Sequence, residues 1–144
     1  MWRTLDHTAD VALEVEAESW TELLAEAAHA FGEWTTGARV PAAAHETERA
    51  LEVHGADRVE SWVRFWRELL RLWTVEGFLP IHARVEGDDV MDNTAGLHVR
   101  AKVGCVSAGA LDPAHCQDVK AVTWHAAAVE RRGAGWVGRI VLDL

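Results

Sequence analysis

Val11, Leu13, Val15 and Ala17 alternate with Ala12, Glu14 and Glu16, the period-two pattern of a strand with one apolar and one polar face. The segment predicted from it runs from Thr4 to Ala17. Ser19, with Glu22 three residues later, forms a capping box. Trp20, Leu23, Leu24, Ala27, Ala28 and Phe31 then recur at helical spacing, and Gly32 with Thr35-Thr36-Gly37 is expected to end that helix. Pro41 and Ala42-Ala43-Ala44 read as a loop. Thr47 to Val53 alternates weakly and reads as a strand broken by Gly55. Asp57 and Glu60 make a second capping box. Behind it, Val59, Trp62, Val63, Trp66, Leu69, Leu70 and Trp73 form the strongest helical stripe of the chain, with Arg58, Arg64, Arg67 and Arg71 largely off it and Glu76-Gly77 at its close.

Beyond Gly77 the pattern is that of strands: Phe78–Glu86, Leu97–Val103, Val119–Glu130 and Trp136–Leu142, the last two joined by the turn Arg131-Arg132-Gly133-Ala134-Gly135. The order is β-α-β-α-β-β-β-β. It predicts an α+β, two-layer fold with two helices packed on one face of a mainly antiparallel sheet, or of two small sheets. The 144 residues suit a single domain spanning 1–144.

Composition narrows the function. Hydrophobic residues at 49% and charged residues at 26% describe a globular chain, not a disordered one. No apolar run reaches the roughly 18–20 residues of a membrane span, and no apolar stretch of a secretory signal follows Met1, so no membrane association is expected and the cytoplasm is the expected location. A net charge of -9 argues against tight nucleic-acid binding by the overall field and suits a basic protein partner or a divalent cation. Trp62, Trp66 and Trp73 lie at helical spacing and are expected in the core, not on a base-stacking surface. Cys105 and Cys116 are expected as free thiols, because a zinc set drawn from them with His98 and His115 matches no closed-site spacing.

Two constellations carry candidate chemistry. Asp6-His7-Thr8-Ala9-Asp10 precedes the first strand core, and Asp143 and Leu144 follow the last. If those strands pair, Asp10, Asp143 and the Leu144 carboxylate converge into the oxygen-rich set a hard divalent cation requires. The alternative is ordinary: turn and cap bonds for Asp6, His7 and Asp10, and solvent for Asp143. In the second constellation, Lys120, Val122 and Trp124 share one strand face while Ala121, Thr123 and His125 share the other, leaving Thr123 and His125 as a polar pair or His125 as a satisfied core residue. Asp88, Asp89 and Asp92 form an acidic segment that reads as a cation-attracting loop. There is no phosphate-binding glycine loop and no nucleophile elbow.

These residues resemble the archease family. Leu5-Asp6-His7-Thr8-Ala9-Asp10-Val11 resembles its D-H-T-A-D signature. Trp66, Glu68, Leu69 and Leu70, with Thr74, Glu76, Gly77 and Phe78, resemble its W-x-x-E-L-L helix end. Lys120-Ala121-Val122-Thr123-Trp124-His125 resembles its K-A-V-T-Y-H strand, with Trp124 lacking the hydroxyl of the family's tyrosine, and Trp136 to Leu144 resembles its closing strand. The resemblance implies a cofactor protein, not an enzyme, that activates an RtcB-type tRNA-splicing and RNA-repair ligase by promoting its guanylylation and multiple turnover. It implies a divalent cation, calcium in the family, held at Asp10, Asp143 and Leu144. Asp6, His7, Lys120 and His125 fall on matched positions and are expected to support the site or touch the partner. The implied partner is the RtcB-type ligase, with tRNA or RNA associated only indirectly. Two other classes stay open: a metal-dependent hydrolase using Asp10 and Asp143 with His7 or His125 as base, and a protein-binding or chaperone module with a large exposed apolar patch.

Overall fold

The computed structural model describes residues 1–5, 10–41, 44–90 and 97–144, with side chains described at all of these but 87–90. Among them run seven strands and two helices: β1 (Trp2–Leu5), β2 (Asp10–Ala17), α1 (Trp20–Thr36), β3 (Glu46–Gly55), α2 (Arg58–Thr74), β4 (Phe78–Val90), β5 (Leu97–Ser107), β6 (Ala121–Arg132) and β7 (Gly135–Asp143). Two short 3₁₀ turns, Ala108–Ala110 and Pro113–His115, lie between β5 and β6. The fold is α+β, and its antiparallel strands divide into two sheets, ordered β1-β2-β7-β6 and β3-β5-β4. The segment expected as one strand from Thr4 contributes two, because Trp2–Leu5 folds back antiparallel on Ala12–Val15. No helix among the described residues is long and apolar enough to cross a membrane.

Both helices begin where the capping boxes place them. Ser19 Oγ accepts the Glu22 backbone N–H at 3.1 Å, and Asp57 Oδ1 accepts that of Glu60 at 2.8 Å. Helix α1 ends at Gly37 in the left-handed conformation, φ 61°. Gly32 does not end it. It sits inside the last turns, where a Cβ would collide with the Pro80 carbonyl of β4. The glycine is there for close approach of a strand, not for termination.

The core lies between the helices and the inner faces of both sheets. Leu13, Val15, Ile140 and Leu142 come from one sheet; Leu51, Val53, Leu97, Val99 and Ala101 come from the other. Trp62 and Trp66 are fully buried and meet at 5.7 Å with rings nearly perpendicular, and Phe31 of α1 lies 6.2 Å from Trp66. Trp73 is only half-buried and packs against the edge of the core. The Trp62 indole N–H donates to the Arg139 carbonyl at 2.9 Å, fixing α2 to β7. Gly138 makes that contact feasible, since a Cβ there would stand 2.5 Å from the Trp62 ring. β7 is thus held at the centre of the four-stranded sheet by helix, ring and two neighbouring strands.

Candidate functional site

The strand pairing that the acidic constellation requires is present. β2 and β7 run antiparallel with Asp10 directly opposite Asp143, and on the other side of β7 Ala121 stands opposite Asp143. The Lys120 backbone N–H donates to the Asp143 carbonyl at 2.8 Å, which ties the entry of β6 to the end of β7. Directly opposed residues in such a pair have Cβ atoms about 4.5–5.5 Å apart on one face of the sheet. Asp10 is half-buried, while Lys120, Asp143 and Leu144 are exposed. Two facing carboxylates repel, and a cation between them relieves that repulsion. The donors are oxygens only, the set that suits a hard divalent ion.

Further along the same face, Glu14 is opposite Arg139 and Arg3. The Glu14 side chain is only 2% exposed, although the alternation puts it on the polar face. Its Oε1 accepts from Arg3 Nη2 at 2.6 Å and Nε at 3.0 Å, and its Oε2 accepts from Arg139 Nε at 2.8 Å. The hydrogen bond from Arg139, then that from Arg3, holds the Glu14 carboxyl below its ordinary range, against the effect of burial. This ion cluster braces β1, β2 and β7 on the face that carries the acidic pair, about 13 Å further along β2.

The second constellation is arranged differently from its sequence pattern. β6 follows β7 from Ala121↔Asp143 to Thr123↔Val141 and resumes at Ala128↔Arg139, so four residues of β6, Trp124 to Ala127, stand against one of β7, Ile140. Ala126 has φ 57° inside this bulge. The expected side-chain pair of Thr123 and His125 is replaced by a local bond, the His125 backbone N–H donating to Thr123 Oγ1 at 2.9 Å. His125 is exposed, not a core residue, and the bulge separates it along β6 from the Asp10–Asp143 pair. Trp124 is 44% exposed beneath the Arg67 guanidinium, 5.8 Å from the ring centre. The structure therefore brings together Asp10, Asp143 and the Lys120 backbone, with Leu144 next in the chain, and puts His125 in the irregular stretch of β6. Asp6 and His7 lie outside the described residues, as does Asp92. Asp88 and Asp89, expected in a loop, belong to β4.

Cys105 and Cys116 are free thiols. Cys105 is fully buried, and burial pushes its thiol up to about 11, so it is inert at neutral pH. The drawn zinc set is not assembled, because His98 and Cys105 point to opposite faces of β5.

An antiparallel two-sheet α+β domain with acidic residues paired at the ends of its second and last strands defines a class that known proteins share. The model of the Archease protein family (MTH1598/TM1083) matches residues 2–144. Protein archease of Methanopyrus kandleri is 34% identical over 99% of this chain and 99% of its own. Protein archease of Archaeoglobus fulgidus is 30% identical over 99% and 98%. The solution structure of Methanobacterium thermoautotrophicum protein 1598 superposes with a TM-score of 0.76 at 26% identity, covering 99% of this chain and 98% of that one. The crystal structure of a Thermotoga maritima archease, described as a possible chaperone, shares the fold at a TM-score of 0.58 and 21% identity, covering 99% and 96%. The chain belongs to the archease family.

Proposed function

We propose that this protein is a non-enzymatic activator of an RtcB-type RNA ligase, acting in the cytoplasm. The observation that supports this reading most is the register of Asp10 against Asp143 at the solvent-facing end of the first sheet. Together with an oxygen of Leu144, the two carboxylates would hold a divalent cation, calcium by family resemblance. A cation held there would supply positive charge near a transferring phosphoryl group of the ligase. The chain's own contribution is positioning: the Glu14–Arg3–Arg139 cluster stiffens β2 and β7, and the Lys120 backbone bond fixes the Asp143 main chain. The net charge of -9 suits docking onto the basic surface of a protein that handles RNA, with no direct RNA contact required.

The other classes find less support. A hydrolase needs a base held at the carboxylates; of the two expected, His7 lies outside the described residues, and His125 sits in the irregular stretch of β6 with its backbone N–H bonded to Thr123 Oγ1, and no contact joins it to Asp10 or Asp143 in support of that reading. A chaperone needs a broad apolar surface, whereas the large exposed hydrophobics among the described residues are Met1, Val75, Trp124 and Leu144, each on a different element or end.

The test is multiple-turnover ligation by a cognate RtcB-type ligase at substoichiometric concentration, with formation of the GMP–ligase adduct followed in parallel. Turnover and adduct formation should depend on this protein and fail with a folded Asp10→Asn/Asp143→Asn variant. Unchanged turnover without the protein, or full stimulation by that variant, would defeat the proposal.

A further inference from the structure

The outer face of the three-stranded sheet carries a second set of donors, of a different kind. On β3 and β5, Leu51, Val53, Leu97, Val99 and Ala101 turn into the core, so Glu52, His54 and His98 lie on the opposite face. The register puts His54 directly across from His98. Their rings stack with centres 4.1 Å apart and planes within 10°. Glu52 Oε1 lies 2.5 Å from His98 Nε2 and 3.5 Å from His54 Nε2, and one ligand atom from each residue falls within 4.8 Å of the others. Ligand atoms around a tetrahedral zinc ion, with bonds of about 2.0–2.1 Å, are about 3.4 Å apart. The two rings are stacked, so both must tilt toward a common point for their in-plane nitrogen lone pairs to meet one ion beside the Glu52 carboxylate.

The positions of these groups are fixed and accessible. His98 is 14% exposed and anchored in the central strand of its sheet, while Glu52 and His54 are open to solvent at 57% and 62%. The His54 carbonyl accepts from Arg64 Nη1 at 2.6 Å, and the Arg64 guanidinium is also paired with Glu60 at 3.2 Å. Arg100 is the register partner of Glu52 across β3 and β5.

We infer that Glu52, His54 and His98 form a binding site for a borderline divalent metal ion of the zinc type, bridging β3 and β5. Imidazole nitrogens select such ions over calcium or magnesium. Three protein ligands leave one coordination position to water. The site lies on a different sheet from Asp10 and Asp143 and does not depend on the role proposed for them.

The experiment is titration of the full chain with zinc by calorimetry and with cobalt(II) by visible absorption, in the parent, His54→Ala, His98→Ala and Asp10→Asn/Asp143→Asn. The parent should bind one zinc and give the strong absorption bands of tetrahedral cobalt. Loss of even an outer-shell partner typically weakens a metal site about 10–100-fold, so each histidine variant should lose at least tenfold in affinity and lose the cobalt bands. The Asp10/Asp143 variant should retain both. His54 is at the surface, so His54→Ala carries the test if His98→Ala proves unstable by circular dichroism. Zinc binding undiminished in His54→Ala, binding lost in the Asp10/Asp143 variant, or no zinc bound by the parent would each overturn the inference.

Discussion

Across β2 and β7, Asp10 faces Asp143; across β3 and β5, His54 faces His98. In both pairs, antiparallel register sets two metal-competent side chains on one face at a separation the backbone dictates. The pairs differ in donor atom. The first offers only oxygen, matched to hard cations, and the second offers two imidazoles and one carboxylate, matched to zinc-like ions. They differ also in their neighbours. The Asp pair shares its sheet face with a nearly buried Glu14 held by Arg3 and Arg139, whereas the His pair is partly open to water and has Arg100 as the register partner of Glu52. Strand register gathers the donors in each case, and the identity of the side chains decides which class of ion they would suit.

The largest effect should come from removing the donors in pairs. Asp10→Asn/Asp143→Asn should weaken calcium binding by about a hundredfold or more while leaving zinc binding intact, and His54→Ala/His98→Ala should do the reverse. Calorimetric titrations of both variants with both ions decide it; if either variant loses both ions, the two regions are not independent.

Next in size is Gly138→Ala. The added methyl would meet the Trp62 ring at 2.5 Å, in a strand of the first sheet only. A loss of about 1–3 kcal/mol in unfolding free energy is expected, with calcium affinity falling and zinc affinity unchanged. Chemical denaturation and the same titrations measure this, and equal damage to both ion affinities would argue against separate sheets as the determinants.

Glu14→Gln should cost about 1–2 kcal/mol, since the close pairs with Arg3 and Arg139 and the longer one with Arg132 are lost but all three arginines remain partly in water. The folded Glu14 carboxyl is held below its ordinary range. Its stabilisation is therefore complete above the unfolded-state value and disappears as pH falls through the folded one. The variant should thus show a shallower loss of stability on acidification than the parent. Urea midpoints taken from neutral pH down through the carboxylate range test it, and parallel curves would exclude a Glu14 contribution.

The smallest change is Arg100→Gln. Removing the cation opposite Glu52 should tighten zinc binding a fewfold and leave calcium binding as it was. Unaltered zinc affinity would show that Arg100 does not compete for that carboxylate.

Much of the fold was readable because local rules were strong. Ser19 and Asp57 cap the helices they were expected to cap, and the apolar stripe of α2 is the buried one. Gly133 and Ala134 form the turn between β6 and β7, with Gly133 at φ 61° in the position a two-residue hairpin gives to glycine. Gly32 misled because a helical glycine looks the same whether it ends the helix or admits a neighbouring backbone. The partition into two sheets was left open, since alternation reports which face of a strand is apolar but not its neighbour. The same limit explains the two donor pairs. The acidic residues of the first were recognisable as candidates through family motifs. His98 was noticed in the second, but with cysteines for company, because only the β3–β5 register supplies Glu52 and His54. The bulge at Trp124 to Ala127 carries no glycine or proline, and the run Ala126-Ala127-Ala128 has no apolar–polar alternation that could have reported a change of register.

β7 sits between β2 and β6, and contacts such as Arg139 to Glu14 join residues 125 positions apart. The late-made hairpin of β6 and β7 thus has to dock onto β1 and β2, which are made early, and β7 is the strand that joins the two halves of the sheet. β2 cannot find its lasting partner until almost the whole described chain has emerged, and a contact map weighted so far from the diagonal implies slow folding. The Asp10–Asp143 pair consequently serves as a marker of completed folding: whatever recognises that acidic end encounters it only on molecules whose first sheet has closed.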